Sequence, residues 1–212
     1  MNIKRVKEYG IVILPEPACV QKAISINTKI ASVLPPDVKN VYNDWHVTLY
    51  HGAYELGFLP EILAKLKTLD TRSFSLEFTM PLCISPNNEI SWQIVKTPRL
   101  QELHETVITL ASPYHLRPLE RSRDAYHKMD FKNKIQVDKY GVDRILDLYN
   151  PHMTLFYQCP PNLNLKEILN TAYNPKIKET YNTAQIAIGE LGYSGNVEKI
   201  VYCFEMTMKL AN

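Results

Sequence analysis

No segment of the chain approaches the roughly 20 consecutive apolar residues that a helix needs to cross a bilayer. The apolar run near the N-terminus, Tyr9 to Leu14, is too short for a secretory leader, and Pro15-Glu16-Pro17 follows it at once. Cys19, Cys83, Cys159 and Cys203 are scattered, with no Cys-x-x-Cys and no nearby Cys/His pair. That spacing suits neither a zinc ribbon nor a compact disulfide scaffold. The expectation is a cytoplasmic protein with four reduced thiols. A Gly-rich phosphate loop, a Gly-x-Ser-x-Gly elbow and a His-Glu-x-x-His helix are all missing. The formal net charge is only +2, too small for a protein that coats polyanions, although a local basic groove is compatible with it.

What remains is an ordinary globular composition, 45% hydrophobic and 22% charged over 212 residues. That length suits one domain or two tightly fused halves, large enough to bury a core without staples. Within it one short phrase occurs twice. Residues 46–50 read His-Val-Thr-Leu-Tyr and residues 152–156 read His-Met-Thr-Leu-Phe. At this composition, two His-x-Thr-Leu matches arise by chance in about one sequence per thousand. On a strand, alternate side chains face opposite ways, so each copy offers one imidazole and one hydroxyl on the same face. These are His46 with Thr48 and His152 with Thr154, backed by packing residues on the other face.

The elements around the two copies are similar. A strand over 9–14 leads into a helix over 18–33 that carries Val20, Ala23, Ile24, Ile30 and Val33 at close to helical spacing, ended by Pro35-Pro36. The first motif strand, entered through Asn43-Asp44-Trp45, precedes an amphipathic helix over 58–69 and a strand over 74–78. A turn at Asn87-Asn88 returns a strand over 90–95, and Thr97-Pro98 opens a Leu-rich helix. Residues 112–148 are charged and weakly periodic, which predicts a long excursion with one short helix near 142–148. After the second motif come a helix over about 163–173 and strands over 183–191 and 199–208, joined by a turn containing Gly192 and Gly195. Strand with His-x-Thr, helix, strand, turn, strand thus occurs twice. The fold predicted is α+β, a duplicated two-lobed antiparallel sheet with outer helices and a central cleft that brings the two histidines together.

Two His-x-Thr-Leu strands 106 positions apart, in a chain of this length, resemble the 2H (two-histidine) phosphoesterase superfamily, which includes bacterial RNA 2′,3′-cyclic phosphodiesterases, also known as 2′–5′ RNA ligase-like proteins. The resemblance covers nearly the whole chain. It implies a single bilobal domain over 1–212 with pseudo-twofold symmetry, one motif from each lobe, and chemistry without cofactor or metal. Its implied partners are RNA ends or small nucleotides carrying a cyclic phosphate or a 2′–5′ linkage. A monomer working away from membranes is expected. The excursion at 112–148 is longer and more charged than the usual linker.

First principles lead to the same chemistry. Opening a cyclic phosphate needs one group to take a proton from water and another to give one to the departing sugar oxygen, and histidine suits both. His152 is taken as base and His46 as acid, roles that the near-symmetry of the repeats leaves exchangeable between substrates, with Thr48 and Thr154 as donors to the developing charge. Tyr50, Trp92, Tyr157 and Phe156 are candidates to stack a substrate base, with core packing as the competing role for at least half of them, and Tyr9 is a candidate to line the same cleft. Arg117, Arg121, Arg123 and Lys128 are candidates for its distal phosphates, with a solvated surface as the competing role. His51 falls on the opposite parity from His46 unless a bulge intervenes, so it is assigned a structural role; His104, on a helix, and His115 and His127, in the excursion, are read as bystanders. Neither motif pairs its histidine with a carboxylate at metal-ligand spacing, which disfavours a metal site. The alternative is a non-catalytic nucleotide- or RNA-binding module of the same fold.

Overall fold

In chain order the elements are β1 (Val6–Pro15), α1 (Pro17–Ala31), β2 (Lys39–Asn40), β3 (Val47–Glu55), α2 (Leu59–Leu66), β4 (Ser75–Phe78), β5 (Cys83–Ile84) and β6 (Ile90–Gln93). They continue as α3 (Pro98–Ala111), α4 (Glu120–Ala125), α5 (Phe131–Tyr140), β7 (His152–Tyr157), α6 (Leu165–Ala172), β8 (Glu179–Leu191) and β9 (Val197–Glu205). The computed structural model describes residues 6–35, 39–40, 45–70, 72–79, 82–85, 88–157, 159–160, 163–172 and 178–206. Asn43 and Asp44 before the first motif, Asn87, Tyr173 and residues 207–208 of the expected last strand lie outside the described residues.

The fold is α+β with antiparallel sheets. One sheet runs β3-β1-β8-β4 with β9 also on β8, and the other runs β2-β7-β6-β5. The β5–β6 hairpin after the first motif and the β8–β9 hairpin after the second each join the opposite motif's sheet, while β4 pairs with β8. Thus β6, which follows the first motif, pairs with β7, while β8 and β9, which follow the second, build the sheet that holds β3. This exchange ties the two repeats together through backbone hydrogen bonds rather than through side chains alone. In β1, Tyr9, Ile11 and Ile13 face the main core, and Val12 packs with Ala187 and Val197 on the other face. That is the period-2 alternation of a strand covered on both sides.

Two sequence expectations are corrected. The inward stripe of α1 is Cys19, Ala23, Ile26, Asn27 and Ile30; Ile24 and Val33 point outward, 40% and 46% exposed. The helix is rotated because small Cys19 and Ala23 allow close approach and Asn27 has a buried task, described below. The excursion holds two helices, α4 and α5, and residues 146–148 form only a 3₁₀ turn. Helix α5 buries only Gln136 and Val137, so it has no apolar stripe to read. Its ends hold it instead: the Asp130 carboxylate accepts from the Asn133 amide at 2.8 Å, and Gly141 closes it in the left-handed region at φ 78. No helix among the described residues is long and apolar enough to cross a membrane.

Candidate active site

His46, Thr48, His152 and Thr154 all line one cavity of about 610 Å³. The two motif strands reach it from different sheets, and both carry the same irregularity. In the β1–β3 ladder, Ile11 pairs with Tyr50 and Val12 with Thr48, so Leu49 has no partner. In the β6–β7 ladder, Ile90 pairs with Phe156 and Ser91 with Thr154, so Leu155 has none. Each motif therefore bulges at its leucine. A bulge adds one residue to one strand and reverses the facing of everything beyond it. The residue three places after each threonine, His51 in one repeat and Tyr157 in the other, turns onto the threonine's side and lines the cavity. His51, assigned by parity to the far face, is thus corrected: the bulge puts it in the site.

Bulges free backbone carbonyls, and buried carbonyls must find donors. The helix beneath each motif supplies one. His104 of α3 donates from Nδ1 to the Leu49 carbonyl at 2.6 Å, and Asn27 of α1 donates from Nδ2 to the Leu155 carbonyl at 2.8 Å. These two buried side chains, both inside helices that pack on the motif strands, are counterparts in the two repeats. His104 Nε2 accepts from the Leu146 amide at 2.9 Å, and its ring stacks on Tyr149 at 3.7 Å between centroids and 6° between planes. Tyr149 in turn donates its hydroxyl to the Thr48 carbonyl at 2.7 Å. Both His104 nitrogens are committed and its ring is buried, so burial lowers its pKa from 6.5 to about 4. His104 is therefore no bystander, contrary to the expectation from sequence; its signal was a polar residue within the inward stripe of α3.

The catalytic candidates are partly exposed, as groups that meet a substrate must be. His152 Nδ1 lies 2.8 Å from the Asn150 carbonyl. A carbonyl only accepts, so the proton of that bond sits on Nδ1 and the lone pair of a neutral ring sits on Nε2. The charged excursion forms one wall through Arg121, Lys128 and Arg144. Arg121 is half-buried, hydrogen-bonds His51 Nδ1, and its buried Nη1 has no partner among the described residues. The turn between β8 and β9 closes over it: Gly195, at φ 84, lies where any side chain would run into that guanidinium. Glu89 adds a carboxylate to the cavity wall. No group of three His, Cys, Asp or Glu among the described residues is arranged to hold a metal ion.

The remaining candidates divide. Tyr50 and Tyr157 line the cavity, but the Tyr50 hydroxyl is spent on the Tyr140 carbonyl at 2.6 Å. Trp92, Tyr9 and Phe156 are core residues away from the cavity wall. Trp92 lies against Phe78 at 4.1 Å between ring centroids, and Tyr9 stacks on Tyr54 at 6.4 Å. Periodicity shows which face of its own strand each aromatic takes, but not whether that face meets core or cavity. Trp92→Ala is accordingly expected to cost about 3–5 kcal/mol of stability through the void it leaves, measured by denaturant unfolding, with KM for any substrate unchanged. Arg117 pairs with Glu8 at 3.0 Å outside the cavity wall, and Arg123, His115 and His127 also lie off it.

No family model and no curated protein matches the sequence. Solved structures do match. Escherichia coli LigT complexed with ATP superposes with a TM-score of 0.61 at 13% identity, over 96% of this chain and 99% of that one. A structure described as a phosphoesterase gives 0.61 at 13% identity, again over 96% and 99%. The protein TT0787 of Thermus thermophilus gives 0.59 at 15% identity, over 94% and 97%. At such identities the likeness establishes architecture alone: this chain has the α+β fold of LigT and of these other structures.

Proposed function

We propose that this chain is a phosphodiesterase that opens 2′,3′-cyclic phosphates, or related RNA and nucleotide phosphodiesters, by paired histidine acid–base catalysis without a metal. The observation that carries this reading is the meeting of His46, Thr48, His152 and Thr154 in one cavity of about 610 Å³, a volume suited to a nucleotide. In the reaction, water attacks phosphorus and passes a proton to His152 Nε2, the nitrogen whose lone pair the Asn150 contact leaves available. The P–O bond to the sugar breaks, and His46 gives its proton to the departing oxygen. Thr48 and Thr154 donate to the non-bridging oxygens as charge builds on them. The nucleotide class of substrate is supported by LigT, which shares the fold and is described in complexes with ATP, NADP+ and 3′-AMP.

The test is a panel of 2′,3′-cyclic nucleotides, RNA with a cyclic phosphate end and 2′–5′ oligoadenylates, assayed with EDTA present and with the product isomer determined. Turnover insensitive to EDTA, accumulating the 2′-phosphate from the cyclic substrates, is the expected result. Saturable binding with no turnover of any member would overturn the hydrolase and leave a nucleotide-binding module.

A further inference from the structure

The geometry points to His51 and Tyr157 as a matched pair of positioning residues, which fix the direction in which Thr48 and Thr154 present their hydroxyl protons to the substrate. Each stands three residues after its threonine, and each reaches the threonine's face only because the strand bulges between them. Each touches the hydroxyl in question. His51 Nε2 lies 3.4 Å from Thr48 Oγ1, and the Tyr157 phenol is hydrogen-bonded to the Thr154 side chain. Two non-homologous side chains, imidazole and phenol, thus meet one geometric requirement in the two repeats.

The direction of the first bond follows from its far end. A guanidinium carries donors only, so Arg121 must donate to His51 Nδ1. A neutral imidazole has a single N–H, which is then on Nε2 and directed at Thr48 Oγ1. The threonine oxygen accepts that bond, and its own proton is left to face the cavity, where the negative oxygens of the phosphoryl group arrive. Burial holds the His51 ring neutral, well below its ordinary range, and the charges of Arg121, His46 and His152 act in the same direction. Gly10 sits opposite His51 in the ladder, and a Cβ there would come within 3.0 Å of the ring, so the imidazole has little room to turn. In the other repeat, burial pushes Tyr157 up to about 12. Burial and the Glu89 charge keep the proton on the phenol against the Arg121 charge, so the phenol has a proton to donate to the Thr154 oxygen.

This inference rests on the phosphodiesterase reading, and its test has one arm that does not. Long-range ¹H–¹⁵N correlation on histidine-labelled protein reports the tautomer of each ring, with His51 assigned by its absence from His51→Gln. A neutral Nε2–H ring that does not titrate between pH 6 and pH 8 is expected; an Nδ1–H or a titrating ring overturns the proposal. In the kinetic arm, His51→Phe and Tyr157→Phe each lower kcat on 2′,3′-cyclic AMP about 10- to 100-fold with little change in KM, since a misdirected oxyanion donor acts on the transition state alone. His51→Gln, whose amide nitrogen reaches the Nε2 position, recovers most of that loss. Thr48→Val added to His51→Phe costs less than Thr48→Val alone, because the two act as one unit. Wild-type kcat in a folded His51→Phe, or losses that multiply in the double variant, overturns the proposal. A wild-type protein with no turnover removes the phosphodiesterase reading and leaves the tautomer arm to decide this one.

Discussion

Alanine at His152 or at His46 lowers turnover of a 2′,3′-cyclic nucleotide by about 100- to 10,000-fold, the range expected on losing one positioned proton-transfer group. The two variants differ in form as well as in size. Without His152 the water lacks its base, and activity rises with added hydroxide or an external base. Without His46 the departing oxygen lacks a proton, and substrates with a better leaving group lose much less. The double variant falls little below the worse single one, because acid and base serve the same displacement. Steady-state kinetics across pH with ordinary and activated leaving groups checks this. The wild type gives a bell-shaped profile, and each single variant loses one limb. Substantial activity in both single variants, with their folds intact, would remove the two imidazoles from the mechanism.

His104→Phe is expected to cost about 3–5 kcal/mol of unfolding free energy. The substitution keeps a flat ring against Tyr149 but strands the Leu49 carbonyl and the Leu146 amide, both bonded to the imidazole in the wild type. Each buried group left without a partner costs about 1–3 kcal/mol. A dependence on pH follows from the same residue. Its folded pKa of about 4 lies below the 6.5 of the unfolded chain. Between those values the unfolded state binds the extra proton, so stability rises with pH through that window and is lost on acidification from 6.5 toward 4. The loss attributable to His104 is about 3 kcal/mol at 1.36 kcal/mol per pH unit. His51, also depressed by burial, adds to it with the same sign. Denaturant unfolding at a series of pH values reads both effects. The wild type weakens steeply between pH 6.5 and 4, and His104→Phe, already weaker, shows a shallower slope. Equal slopes would mean that the buried imidazole takes up its proton without cost.

The His104 network also shows where reading from sequence stops. The spacing His-x-Thr-Leu is sufficient to pick out the two motif strands, because side-chain alternation is a local property and needs no knowledge of the neighbour. Strand and helix order follows for the same reason, through β1, α2, α3 and the β8–β9 hairpin. Helix α5 is legible in principle from Asp130 and Gly141, although its exposed faces hide it from any search for an apolar stripe. Trp92 and Tyr9 do belong to strand faces, but to faces that meet the core and not the cavity, since composition is alike on an aromatic core and an aromatic wall.

By itself, then, the chain's order of residues determined which imidazoles and hydroxyls are repeated, and that each pair shares a strand face. The bulges at Leu49 and Leu155 were settled elsewhere, by how β1 and β6 register against the motif strands. Those bulges decided that His51 and Tyr157 join the threonines and that His104 and Asn27 are required beneath them. The physical reason is that a bulge is a property of two strands together. Its cost and its benefit both lie in partners distant along the chain, so no window of a single sequence contains them.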